Sequence, residues 1–129
     1  MKNEKFLTSN PTTYYLLLST YYQKMKILFV CSRNKWRSRT AETIFKDTNG
    51  WQVRSAGTEN AARIRLTASM VAWADWIFVM EQEHKNRILA DFGEAAAGKN
   101  LHVLEIADDY KYMDKELIGE LRLAVSEYL

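Results

Sequence analysis

Ile27-Leu28-Phe29-Val30-Cys31-Ser32-Arg33-Asn34-Lys35-Trp36-Arg37-Ser38 opens on an unbroken apolar run, reaches a cysteine, crosses a polar stretch and ends on an arginine-serine pair. A short continuous apolar run reads as a strand covered on both faces, the kind found at the centre of a parallel sheet. Arg37 to Thr48 then reads as a helix with Ala41, Ile44 and Phe45 on its buried stripe, stopped at Asn49-Gly50 by residues that tolerate a left-handed backbone. A strand handed to a helix through a short polar loop is the repeating unit of an α/β domain.

Working outward, the same alternation continues. Trp51 to Ser55 reads as a strand left through Ala56-Gly57, Thr67 to Ala74 as a helix seeded by Thr67, and Trp76 to Met80 as a third strand. Glu81 to Phe92 reads as a helix closed by Gly93, Leu101 to Ile106 as a fourth strand, and Lys115 to Tyr128 as a last helix. The pattern predicts a doubly wound α/β domain, in which ligands bind beyond the carboxyl ends of the strands. Cys31, Ser55, Glu81 and Ile106 to Asp109 all fall at that edge.

The chain has 129 residues and is 47% hydrophobic, enough for one domain with one core and too little for two catalytic domains. A formal charge of +2 gives no whole-molecule field favouring nucleic acid or an anionic membrane. The lone cysteine, Cys31, excludes an intramolecular disulfide and a zinc site built on several thiolates, and it suits a reducing cytosol. The apolar stretch from Tyr14 to Tyr22 is too short to span a bilayer and lacks a small-residue cleavage site, so a cytoplasmic location is expected. Lys24-Met25-Lys26 directly precedes the first strand. Residues 1–24 are therefore expected to be an extension, either unstructured or lying before the true start at Met25, with residues 25–129 forming the domain.

Chemistry concentrates in the loop. Backbone N–H groups turned inward between Cys31 and Arg37, together with a helix N-terminus, suit a dianionic phosphate. The same field favours an ionised, nucleophilic sulfur at Cys31. Arg37 can give two parallel hydrogen bonds to phosphate oxygens, a geometry lysine cannot reproduce. Ser38 can donate to the sulfur. Ser32, Arg33, Asn34, Lys35 and Trp36 complete the expected phosphate-binding loop.

Cys-x-x-x-x-x-Arg-Ser after an apolar strand, with Ser55-Ala56-Gly57-Thr58 after the second strand, resembles the low-molecular-weight protein tyrosine phosphatases over about residues 26 to 128. The likeness is closest to a bacterial branch with a Cys-Ser-x-Asn-x-x-Arg-Ser loop and a late Asp-Asp-Tyr. The resemblance implies a three-layer α/β/α sandwich with a four-stranded parallel sheet in the order 2-1-3-4. It implies that Asn34 stabilises the loop and that Ser55 joins its network. It also implies a general acid in Asp108-Asp109-Tyr110: Asp108 by alignment of the tyrosine, Asp109 if the loop is shifted by one residue. Tyr110 and Tyr112 would line the entrance. The implied activity is hydrolysis of phosphotyrosine in proteins or of small aryl phosphates through a cysteinyl-phosphate, without metal or other cofactor, and without nucleic-acid or membrane partners.

Departures from the family pattern are specific. Arg33 stands where glycine is common, Trp36 where many members have a second cysteine, and Thr40 follows Arg39 where proline is frequent. Glu59-Asn60-Ala61 replaces an expected aromatic and histidine, which bears on selectivity more than on catalysis. The rival readings are a catalytically silent phosphate- or phosphopeptide-binding module, an arsenate reductase-like enzyme that would need more cysteines, and an RNA-binding domain using the basic run Arg33, Lys35, Arg37 and Arg39. His84 and His102 have no partner at metal-ligand spacing and read as surface or structural residues. Trp51, Trp73 and Trp76 read as core, and Tyr14, Tyr15, Tyr21 or Tyr22 as candidate pseudo-substrates for the active-site edge.

Overall fold

A computed structural model describes the backbone of residues 11–129 and the side chains of 11–17 and 25–129. Helix α1 (Pro11–Lys24) runs beside a single 3-10 turn at Thr48–Gly50 and leads into strand β1 (Lys26–Cys31). Helix α2 (Arg37–Phe45), β2 (Gln52–Gly57), α3 (Ala68–Trp73), β3 (Trp76–Val79), α4 (Gln82–Ala96), β4 (Asn100–Val103) and α5 (Lys115–Ser126) follow in chain order. The expected extension is thus helical over residues 11–24. Residues 1–10 and the side chains of Tyr21 and Tyr22 lie outside the described residues. Among the described residues no helix is long and apolar enough to cross a membrane.

The strands form one parallel sheet in the order β2-β1-β3-β4. Because β1 is central and helices cover both faces of the sheet, its apolar side chains have no solvent to face. Ile27, Leu28, Phe29 and Val30 are wholly buried, which is why the run carries no polar alternation. Alternate residues feed two cores. Ile27, Phe29 and Cys31 pack with Phe45, Phe78, Leu117, Leu121 and Val125 beneath α2 and α5. Leu28 and Val30 pack with Val71, Ile77, Val79 and Ile88 beneath α3 and α4. Helices on both faces of one sheet make the three-layer sandwich that the sequence suggested. The chain leaves β1 for β2 on one side and crosses to β3 on the other, so the topological switch opens a crevice at Cys31.

Several element ends differ from the expected ones for local reasons. Helix α2 stops at Phe45, and Asn49, at φ 49°, turns the chain four residues later within the 3-10 turn. Helix α4 runs past Gly93 to Ala96 with a kink at Phe92, and the left-handed residue that turns the chain is Gly98, at φ +75°. Strand β2 continues through Ala56-Gly57, because Gly57 still pairs with Cys31. Strand β4 ends at Val103, and Glu105 at φ 57° redirects the chain toward the edge of the sheet. Of the tryptophans, Trp51 is buried and Trp76 is half-buried against Phe78, while Trp73 is half-buried with Arg54 stacked on its ring at 4.3 Å.

Candidate active site

The loop after β1 is held from outside by its carbonyls. The N–H of Thr58 donates to the Cys31 carbonyl at 3.0 Å, that of Glu59 to Ser32 at 2.9 Å and that of Arg63 to Arg33 at 2.9 Å. Arg63 Nε donates to the Asn34 carbonyl at 3.1 Å. In a planar trans peptide the C=O and the following N–H point in opposite directions. Fixing four consecutive carbonyls outward therefore turns the amides of Ser32, Arg33, Asn34 and Lys35 inward. The amide of Asn34 shows this directly, donating to Cys31 Sγ at 3.3 Å.

Asn34 is the residue that bends the loop. It sits at φ 54°, a conformation asparagine adopts more readily than most side chains, and it is fully buried. Its Nδ2 donates to Ser38 Oγ at 2.7 Å. Ser38 Oγ also lies 3.0 Å from Cys31 Sγ and 3.4 Å from the Ala56 carbonyl, within hydrogen-bond reach of both. The sulfur, at the end of a buried strand, thus accepts from the Asn34 amide and is in contact with the Ser38 hydroxyl.

Close approach of two backbones makes Gly57 indispensable. A Cβ there would lie 2.6 Å from the Ser32 carbonyl oxygen, 2.9 Å from the Arg33 carbonyl carbon and 2.6 Å from Ala62 Cβ. Gly57→Ala is expected to push the loop out of register, costing about 1 to 3 kcal/mol and weakening phosphate binding at least tenfold. Thermal unfolding and phosphate titration of the variant check both effects.

Arg37 opens α2 with only 3% of its surface exposed. Its Nη1 donates to Ile106 O at 2.9 Å and to the carboxylate of Glu81, which follows β3. Its Nε lies 3.6 Å from Asp108 Oδ1. A buried guanidinium needs such compensation. Nη2 has no protein partner among the described residues, so Nη1 anchors the side chain and the opposite edge remains for a ligand. Asp108, well exposed, lines the same pocket of about 280 Å³ with Cys31, Ser32, Arg33, Lys35, Trp36, Arg37 and Glu59.

His84 supports the loop from behind, the structural one of the two roles expected for it. It is buried, its Nδ1 accepts from the Glu81 N–H at 3.0 Å and its Nε2 lies 2.9 Å from Ser32 Oγ. An accepting Nδ1 leaves the ring proton on Nε2, which donates to Ser32. Burial, reinforced by the Arg37 charge, lowers the His84 pKa from 6.5 to about 4. The unfolded chain therefore binds a proton between those values that the folded chain refuses. The stability contribution is complete above about pH 6.5 and is lost as pH falls toward 4, on the order of a few kcal/mol. Chemical unfolding of the intact protein across that range is expected to show the slope, and His84→Gln to flatten it. Glu81, Glu83 and His84 bring ligand atoms within 4.8 Å of one another, but both ring nitrogens are already engaged by protein.

Other expected site residues lie apart from the pocket. Ser55 donates to the Glu42 carboxylate on α2, not to the loop. Tyr110 hydrogen-bonds Glu120 on α5, which raises its phenol to about 12, and it packs on the core instead of the entrance. Tyr112 bonds Thr43 on α2 at 2.9 Å. Asp109 is exposed and is absent from the pocket lining. His102 stacks on Tyr128 at 4.3 Å and serves the outer edge of the sheet. Conversely, Glu81, His84, Glu59, Gly57 and Arg63 contribute to the site without having been singled out as site residues. For Glu81 the available signal was its place immediately after the third apolar run.

No family model and no curated protein match the sequence. Among solved structures, a YwlE mutant from Bacillus subtilis is 25% identical with a TM-score of 0.59, over 81% of this chain and 99% of that one. The tyrosine phosphatase Wzb from Escherichia coli K30, solved with phosphate, is 21% identical with a TM-score of 0.65, over 80% of this chain and 94% of that one. A low molecular weight protein tyrosine phosphatase from Streptococcus pyogenes is 14% identical with a TM-score of 0.64, over 81% and 93%. With its parallel sheet in the order β2-β1-β3-β4 and helices on both faces, this chain has the fold of the low-molecular-weight protein tyrosine phosphatases.

Proposed function

We propose that the protein is a cytoplasmic phosphomonoester hydrolase, residues 25–129 being its catalytic unit, acting on protein phosphotyrosine through a cysteinyl-phosphate. The observation that carries this reading is the convergence of Cys31 Sγ, inward loop amides, Arg37 and Asp108 on one pocket. Phosphate seated on the loop amides takes the free edge of Arg37, and competition for Nε releases Asp108 toward the leaving group. Cys31 Sγ attacks phosphorus as the ester P–O bond breaks, and the Asp108 carboxyl gives its proton to the departing oxygen. Water then attacks phosphorus, Asp108 takes its proton, and the S–P bond breaks to release orthophosphate. A YwlE cysteine-to-serine mutant bears a phosphorylated active-site serine, which supports covalent chemistry in a protein of this fold.

A second reading concerns the leaving group. YwlE is named an arginine phosphatase, and here, among the described residues, Trp36 is the only aromatic one lining the pocket while Glu59 and Asp108 both do. Two carboxylates suit the guanidinium of a phosphoarginine better than an aryl ring.

The test is hydrolysis of p-nitrophenyl phosphate, a phosphotyrosyl peptide and a phosphoarginyl peptide of the same sequence. Turnover of the phosphotyrosyl peptide above the phosphoarginyl one supports the first reading, and the reverse order the second. Orthophosphate binding without any turnover makes the chain a silent phosphate-binding module. Asp108→Asn is expected to lower kcat on the aryl phosphate by about 10² to 10⁴, and Asp109→Asn by less than about threefold, since only Asp108 lines the pocket.

A further inference from the structure

A shallow groove leads away from the catalytic pocket between the loop and the segment after β2. It shares Arg33, Lys35 and Glu59 with that pocket and adds Arg39, Ala61 and Arg63. Four cations therefore face one carboxylate, and Glu59 is already engaged by Arg33 at 3.1 Å. Lys35, Arg39 and Arg63 have no ion-pair partner among the described residues. Each is held by a neutral group instead: Lys35 lies 5.0 Å from the Trp36 ring centroid, Arg39 4.4 Å from that of Tyr112, and Arg63 donates to the Asn34 carbonyl. Stacked guanidinium groups keep their charge and their in-plane donors, so the groove is a prearranged anion site next to the nucleophile.

We propose that this groove is a second anion subsite, selecting phosphorylated protein segments that carry Asp or Glu beside the phosphorylated residue. The proposal rests on the phosphatase reading and narrows its substrate class. A peptide fits better than a nucleic acid for two reasons. Glu59 sits among the cations, where it would oppose an evenly charged phosphate backbone, and among the described residues no aromatic ring lines the groove, the rings of Trp36 and Tyr112 beside it already carrying Lys35 and Arg39, which leaves bases no stacking platform. Charge complementarity at an exposed rim acts mainly on encounter and discrimination, and salt screens it.

The experiment uses matched peptide pairs, phosphotyrosyl and phosphoarginyl, with either acidic or Ser/Gly flanks, and p-nitrophenyl phosphate as reference. Within a pair, kcat/KM for the acidic peptide is expected to exceed that for the neutral one about tenfold at low salt, falling toward equality in strong salt. Arg39→Gln and Lys35→Gln are each expected to cut that ratio about threefold. Equal kcat/KM within pairs, while the aryl phosphate is turned over, overturns the subsite and leaves the phosphatase reading intact. Failure to hydrolyse any of these compounds counts against the phosphatase reading. The groove is then judged by peptide affinities for the Cys31→Ser protein, where equal affinities overturn it and a tenfold preference for acidic flanks sustains it. Tighter binding of a single-stranded oligonucleotide than of the acidic peptide at the same salt also overturns it.

Discussion

Cys31→Ser is expected to abolish turnover, lowering kcat/KM by at least about 10³ while leaving phosphate affinity within severalfold. The two effects separate because they depend on different parts of the loop. Phosphate is to be bound by amides whose orientation comes from carbonyls held by Thr58, Glu59 and Arg63, and none of those bonds involves the sulfur. Serine is isosteric enough to keep the bond from the Asn34 amide and the contact with Ser38. What it lacks is a nucleophile of comparable strength. Steady-state kinetics with p-nitrophenyl phosphate, beside phosphate titration, checks the split. A loss of binding equal to the loss of rate would mean that the substitution had collapsed the loop.

Arg37→Lys is expected to cost about 10² to 10³ in kcat/KM, despite keeping the charge. Lysine can satisfy Ile106 O or Glu81, but it has no second edge to present to phosphate once anchored. It also leaves the half-buried Glu81 carboxylate facing a flexible ammonium where the rigid fork stood. Loss in both KM and kcat, with little change in unfolding temperature, is the expected signature. A fall in stability of more than about 3 kcal/mol would instead assign Arg37 mainly to the fold.

The sheet and the loop after β1 could be read from the sequence because their signals are local. Ile27 to Val30 announces a buried strand on its own, and the cysteine, arginine and serine follow it directly, by Ser38. Asp108 was reachable through its tyrosine neighbour. What supports those residues comes from far along the chain: Glu81 and His84 from the start of α4, and Glu59 and Arg63 from the segment after β2. No periodicity ties His84 to Ser32, 52 residues apart, and a lone histidine in a sequence carries no sign of the carbonyls and charges that will surround it. Ser55 and Tyr110 show the converse. Both were expected at the site, but their side chains turn to Glu42 and Glu120, because a strand residue's facing is set by register and a loop residue's by its nearest available acceptor. Helix ends shifted for a similar reason, since Gly93 has open space around it and imposes no turn, whereas Gly98 adopts one.

In the proposed reaction phosphorus passes through Cys31. In the Asp108→Asn protein, where both protonation of the leaving group and activation of water are weakened, rapid quenching of a reaction with p-nitrophenyl phosphate followed by peptide mass spectrometry is the direct measurement. The expected result is a mass gain of one phosphoryl group on the peptide containing Cys31, formed with a burst of p-nitrophenol and absent from the Cys31→Ala protein. Steady turnover with no burst and no modified peptide, persisting in Cys31→Ala, would contradict it.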